Sequence, residues 1–228
     1  MPVVGSNVVI DLYYKDPEPD WDKVKAAGIV GVLHKATEGL DFTDGTYRER
    51  KAAAKARGLL WGSYHYSSGA DPAAQAAYYL DFANPQQDEV MCLDCEPSSQ
   101  PKHGPHVPDM TLVQLEAYVE AIKSRTGRLP MIYGGGNFLT PLVKGHAGSI
   151  VGKCPLWFSE YPKASATTPQ VALPDPWTTW TLWQYAADGN GPLPHDVAGI
   201  GRCDRDTFNG TLEALRSDWP FTRAAAEV

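Results

Sequence analysis

In the segment Glu89-Val90-Met91-Cys92-Leu93-Asp94-Cys95-Glu96-Pro97 an apolar, strand-like run ends in two carboxylic acids separated by one residue. Side chains alternate along a strand, so Asp94 and Glu96 share a face, with Cα atoms roughly 6.5 Å apart at about 3.3 Å per residue. Pro97 biases Glu96 toward an extended backbone and offers no N–H to a ladder, so the strand stops where the acids sit. Neighbouring carboxyls hinder each other's ionisation, and the more buried one can keep its proton near neutral pH. Such a pair suits acid catalysis on a glycosidic bond. An acidic strand end neutralised by a nearby Arg or Lys explains the same residues without chemistry, and this segment alone does not choose between the two.

Two further acids bear on that choice. Val8-Val9-Ile10-Asp11 is a short β-branched run that ends in a carboxylate, and Ile200-Gly201-Arg202-Cys203-Asp204 repeats the pattern less cleanly. In a closed barrel the first and last strands are neighbours, which would set Asp11 and Asp204 side by side at one rim. Either one alone reads as well as a turn or helix cap, for which Asp has a general preference.

The elements that must position these acids alternate along the chain. Asp20 caps a helix over Trp21 to Ala27 that Gly28 ends, and Ile29 to Lys35 reads as a strand. Tyr47 to Arg57 is helical, Leu59 to Tyr66 alternates as a strand, and Asp71-Pro72 opens a helix through Phe82. The acid-pair strand follows, then a helix from Thr111 to Thr126 with Leu112, Leu115, Val119 and Ile122 on one face, ended by Gly127. Met131 to Tyr133 makes a fifth strand. Beyond it Pro155 to Phe158, Thr181 to Tyr185 and the segment around Arg202 read as strands joined mainly by loops. Repeated strand and helix units require parallel neighbours with crossovers. The expected fold is an α/β, TIM-like barrel with a helix-poor second half, whose strand ends carry the chemistry.

Composition bounds the function. With 228 residues, 43% of them hydrophobic, the chain can bury one full core, and residues 1–228 read as a single domain. The net charge of −7 argues against a nucleic-acid partner. No window approaches about 18 uninterrupted apolar residues, so no membrane span is expected. The first residues lack a basic n-region with an apolar core, so no cleaved signal peptide is expected either. Cys92 and Cys95 have C-x-x-C spacing, but an odd separation on a strand sends them to opposite faces. With Cys154 and Cys203 they read as buried free thiols, and neither a metal nor another cofactor is expected. Pro97 to Pro108 reads as a long functional loop.

Over nearly its whole length the chain resembles glycoside hydrolase family 25, the muramidases or Chalaropsis-type lysozymes. The matching stretches are Val9-Ile10-Asp11, Trp21 to Gly28, His34-Lys35-Ala36-Thr37-Glu38-Gly39, Gly62 to Tyr66, Leu93-Asp94-Cys95-Glu96, Leu156-Trp157, Leu182-Trp183-Gln184-Tyr185 and Cys203 to Gly210. The resemblance implies a flattened barrel and cleavage of the β-1,4 bond between N-acetylmuramic acid and N-acetylglucosamine in peptidoglycan glycan strands. It places the family's acidic positions on Asp11, Asp94, Glu96 and Asp204, with Glu96 as the catalytic acid and Asp94 as the partner that orients a reacting N-acetyl group. Tyr64, Tyr133, Trp183 and Tyr185 offer flat surfaces to sugars, although aromatic strand residues are ordinarily core. Lys35 and Gln184 are the stronger polar contacts, since such groups within strands need a partner or a cleft.

Departures from the family pattern are His34 in place of an apolar residue, read as packing, a Gly134-Gly135-Gly136 turn, and Asp206 where Asn is common. Asp206 adds an acid near Asp204, or simply faces solvent. Two other readings stand beside the muramidase: a substrate-assisted chitinase, whose longer signature needs an Asp where Cys92 stands, and an inactive peptidoglycan-binding protein. Action on the bacterial cell wall without a signal peptide implies a released phage lysin or a secreted effector, so a holin, a secretion apparatus or an immunity protein is a partner the sequence leaves open.

Overall fold

Eight strands close into a barrel in the computed structural model of the chain, which describes residues 6–99, 107–163, 166–187 and 189–222. They are β1 (Ser6–Leu12), β2 (Gly31–Glu38), β3 (Leu60–Tyr66), β4 (Val90–Asp94), β5 (Met131–Gly135), β6 (Leu156–Ser159), β7 (Leu182–Ala186) and β8 (Asp204–Phe208). Neighbours from β1 through β7 run parallel, whereas β8 is antiparallel to both β7 and β1. The helices α1 (Trp21–Ala26), α2 (Tyr47–Ala56), α3 (Pro72–Ala83) and α4 (Leu112–Thr126) fill the first crossovers, followed by α5 (Gly136–Val143) and α6 (Leu212–Asp218).

Local chemistry sets the helix ends where the sequence predicts them. The Asp20 side chain accepts the Lys23 N–H at 3.2 Å, and Asp71 accepts that of Ala74 at 2.6 Å, with Pro72 in the first turn. Thr111 and Gln114 form a reciprocal capping box, and Gly127 ends α4 at φ 73°, a conformation that favours glycine. In the second half tryptophans on loops cover the barrel in place of helices. Trp177 donates to the Cys154 carbonyl at 2.8 Å, and Trp180 packs edge-on against Trp183.

Strand alternation then divides the core. Val9, Leu33, Val90, Cys92, Met131, Trp157, Leu182 and Phe208 fill the barrel interior. Ile10, Val32, Trp61, Leu93, Ile132, Phe158 and Trp183 face the outer layer. Trp219 and Phe221 join the interior cluster after α6, and the Trp219 indole donates to the Trp61 carbonyl at 3.1 Å. His34 packs as expected, stacked on Trp61 in the outer layer. All four cysteines are buried and free, with Cys92 inside the barrel and Cys95 outside it. Of the loop predicted over Pro97 to Pro108, positions 100–106 lie outside the described residues.

One expectation is corrected in its detail. The run before Asp204 is not the closing strand: Gly201–Arg202 pairs with Asp196–Val197 in a separate two-stranded hairpin, and β8 begins at Asp204 instead of ending there. Asp11 and Asp204 are nevertheless direct register partners. The reversed strand presents its first residue at the rim where parallel strands present their last.

Gly62 shows how tightly the interior is filled, because a Cβ there would lie 2.4 Å from Leu33 Cδ2 and 2.8 Å from Val90 Cβ. Gly62→Ala should therefore cost about 1–3 kcal/mol through overpacking, read as a lowered urea midpoint with unchanged slope. An unshifted midpoint would show that the interior has room to yield.

Candidate active site

The rim formed by the C-terminal ends of the parallel strands opens into a cleft of about 330 Å³, lined by Asp11, Tyr13, Asp16, Lys35, Tyr64, Tyr66, Asp94, Glu96, Tyr133, Trp157, Tyr161, Gln184, Ala187 and Asp204. Eight of the ten residues named from sequence meet here. β4 ends at Asp94, and Glu96 follows in the bend that leaves the sheet, so both acids reach the same cleft. Trp183 does not: it sits on the other face of β7, buried with Trp180 and Tyr185, and donates to the Glu160 carbonyl at 2.8 Å. Strand parity explains this, since Leu182 and Gln184 take the inward positions. Tyr185 is outside for the same reason.

Gln184 is the hub of the site. Its Nε2 donates to Asp11 Oδ2 at 2.8 Å and to Asp204 Oδ2 at 3.3 Å, while its Oε1 accepts the hydroxyls of Tyr133 at 2.7 Å and Tyr161 at 2.5 Å. A primary amide can do this without carrying charge, so it holds the two acids in place without neutralising them.

Lys35 is the one cation lining the cleft among the described residues. Its ammonium pairs with Glu38, which is 1% exposed and also accepts from the Ser99 hydroxyl. The ammonium lies 4.7 Å from the centre of the Tyr66 ring. A shift in strand register between Lys35 and Thr37 makes Ala36 a bulge, which brings positions three apart to one side.

Burial dominates the electrostatics. It holds Asp94 well above the usual carboxylate range, the neighbouring Glu96 raises it further, and Lys35 opposes the rise. Burial also raises Glu96, again against Lys35. Asp11 is raised by burial and then by Asp206 and Asp204, with the Gln184 hydrogen bond opposing. Oδ1 of Asp94 is buried without a hydrogen-bond partner among the described residues. An orphaned buried acceptor at the floor of a cleft is suited to a donor carried by a ligand.

Several site residues had weak or no sequence signals. Tyr161 comes from the loop after β6, which has no periodicity to place it. Glu38 required the bulge. Asp206, for which solvent exposure was one expectation, is fully buried and accepts the Trp157 indole N–H at 2.6 Å. Its spacing of two from Asp204 on an alternating strand was the available signal.

An eight-stranded barrel whose open mouth gathers carboxyls and tyrosines around a cleft has the architecture of a glycoside hydrolase. The sequence profile of Glycosyl hydrolases family 25 matches residues 10–192, and the chain belongs to that family, the lysozyme class of glycoside hydrolases. Lysozyme M1 of Streptomyces globisporus is 26% identical over 219 residues, spanning 90% of this chain and 69% of that protein. The N,O-diacetylmuramidase of Arthroderma benhamiae is 25% identical over 218 residues, or 93% of this chain and 86% of that protein. Among solved structures, the bacterial lysozyme from Streptomyces coelicolor superposes with a TM-score of 0.75 at 25% identity, covering 96% of this chain and 99% of that one. A family GH25 lysozyme from Aspergillus fumigatus gives 0.70 at 26% identity, covering 93% and 98%.

The hub makes a direct prediction. Gln184→Leu keeps much of the volume but strands two hydroxyls and removes a donor from two acids, so stability should fall by about 1–3 kcal/mol or more, with a larger fractional loss in turnover than in substrate binding. Turnover and stability both at wild-type levels would show that the cleft does not depend on this amide.

Proposed function

We propose that this chain is an N-acetylmuramidase that hydrolyses the β-1,4 bond between N-acetylmuramic acid and N-acetylglucosamine in peptidoglycan, with Glu96 as general acid and Asp94 holding the acetamido group of the reacting sugar. The observation that carries this reading is the buried, unpartnered Oδ1 of Asp94 in the same cleft as Glu96. An acetamido N–H supplies the donor that no described residue does. With its N–H held by Asp94, the acetamido oxygen bonds to the anomeric carbon as the glycosidic C–O bond breaks, and the Glu96 proton passes to the leaving oxygen. Water then attacks the anomeric carbon, opens the cyclic intermediate and returns a proton to Glu96.

The remaining groups fit around that step. Asp11 and Asp204 supply negative potential next to a sugar ring that gains positive charge, and Tyr64, Tyr133, Lys35 and Gln184 shape and bond the glycan. The barrel works as a single catalytic domain on the bacterial cell wall, its partner being the glycan strand. Its pH dependence has a definite sign: an acid must hold its proton, so turnover falls as pH rises through the Glu96 pKa, and burial moves that fall upward. Reducing-end release from purified peptidoglycan, measured beside chitin, tests the substrate. Release from chitin alone would replace this reading with the chitinase.

Glu96→Gln keeps size and hydrogen bonding but deletes the transferable proton, so clearance of peptidoglycan should drop about a hundredfold to ten-thousandfold with an unchanged circular dichroism spectrum. Near-normal clearance by the folded variant would remove Glu96 from the acid's role.

The role of Asp94 is tested on the product. Assistance by the acetamido group retains the anomeric configuration, whereas direct attack by water inverts it. We expect a retained first product by NMR, and severe loss of turnover on a glycan whose reacting sugar lacks its N-acetyl group, with binding measured separately. An inverted product would leave Asp94 as a base or an electrostatic partner.

A further inference from the structure

Asp206 belongs to no step of that mechanism, yet it is the most enclosed acid at the site. It lies two residues inward of Asp204 on β8, 0% exposed, opposite Val9 of β1 and Gln184 of β7. Oδ1 accepts the Trp157 indole N–H at 2.6 Å, and Oδ2 has no hydrogen-bond donor among the described residues. On β1 the Asp11 carboxyl is its diagonal neighbour on the same face, since Val9 pairs with Asp206 and Asp11 with Asp204, and it already accepts Gln184 Nε2 through Oδ2.

The groups around it leave little support for an anion. β1 presents Asp11, on which Asp16 acts from the following loop, and β8 itself adds Asp204 and Arg205. The Arg205 guanidinium is directed to the carbonyls of Pro194 and Asp196, at 3.4 and 3.3 Å. β6 contributes Trp157 and β7 contributes Gln184, neither of which titrates in the working range. An ionised Asp206 would thus have one neutral donor and two acids beside it, away from water. A proton placed between two such carboxyls turns their repulsion into an O–H···O hydrogen bond.

We propose that Asp206 is a positioning residue that holds a proton shared with Asp11, so that the two carboxyls beneath the cleft carry one negative charge between them. Burial raises both groups, Asp206 and Asp204 raise Asp11 further, and Asp204 raises Asp206, while a hydrogen bond between the two carboxyls favours the ionised form of Asp206. An amide at this position would donate to Asp11 at every pH, whereas Asp206 does so only while the proton stays. Part of the charge facing the sugar ring is therefore under pH control in this chain. That consequence rests on the proposed role of Asp11, but the test does not use turnover, so the two readings fail separately.

The folded pair keeps a proton that the unfolded chain releases in the ordinary carboxylate range. Its contribution to stability is whole below the unfolded pKa and is lost as pH rises through the raised folded pKa. D206N abolishes that ionisation. The Tm of the wild type should fall relative to D206N by about 3 °C or more per pH unit between the ordinary carboxylate range and the raised folded pKa. At pH 7 the wild type should also show an infrared carboxylic-acid carbonyl band that D206N lacks. If D206N does not fold, D11N carries the same test, because its amide replaces the shared proton and should remove the band as well. Parallel Tm curves together with an unchanged band would overturn the proposal.

Discussion

The constraint on which the site depends is the crowding of like charges in a mouth that excludes most water. Among the described residues Asp11, Asp94, Glu96 and Asp204 share one cleft with a single lysine, and that lysine is bound to Glu38. Burying an unpaired ion costs several kcal/mol, so each acid must be hydrogen-bonded, paired or protonated. An arginine among them would solve the problem and spoil the chemistry, since its permanent charge would pull every carboxyl toward full ionisation. The fold uses neutral donors instead. Gln184 and the Trp157 indole stabilise the acids by hydrogen bonds while leaving their pKa values high. Lys35, tied elsewhere, moderates Asp94 and Glu96 without capturing either.

Closure by an antiparallel strand makes this arrangement available. A parallel eighth strand would deliver its last residues, ending in Phe208, to the rim, whereas the reversed strand delivers Asp204 there and sends Phe208 into the apolar floor. Antiparallel neighbours also need no crossover helix. The helix-free link from β7 to β8 and the position of Asp204 are thus two results of one topological choice. The outer face left without helices is covered by Trp177, Trp180 and Trp183, which suits large side chains that bury much area and carry an N–H able to reach a carbonyl.

What could be read from the sequence follows from which signals are local. Asp20, Asp71 with Pro72, Thr111 with Gln114, and Gly127 set helix limits through contacts within a few residues, and the structure puts the ends within one residue of those signals. The acid pair was legible because its apolar strand and Pro97 frame it. The direction of β8 was not legible: a short apolar run before Asp204 looks alike whether it enters or leaves the sheet, and the register with Val9 and Asp11 is a long-range property. Tyr161 was equally hidden. It reaches Gln184 from an irregular loop whose path is set by tertiary contact alone.

Parity separates the expected residues that reach the cleft from those that do not. Trp157 and Trp183 are the same residue type and both sit on short strands, yet one turns inward to Asp206 and the other outward to the Glu160 carbonyl. What distinguishes them is position relative to a fixed neighbour: Gln184 must point in to meet Asp11, so Trp183 cannot. The bulge at Ala36 shows the opposite case, in which the count of two is broken on purpose and Lys35 gains Glu38 as a partner. An inward hydrogen-bonding residue therefore fixes the parity of its strand more firmly than hydrophobicity does, because an apolar side chain finds a core on either side of this sheet whereas the amide finds its four partners on one.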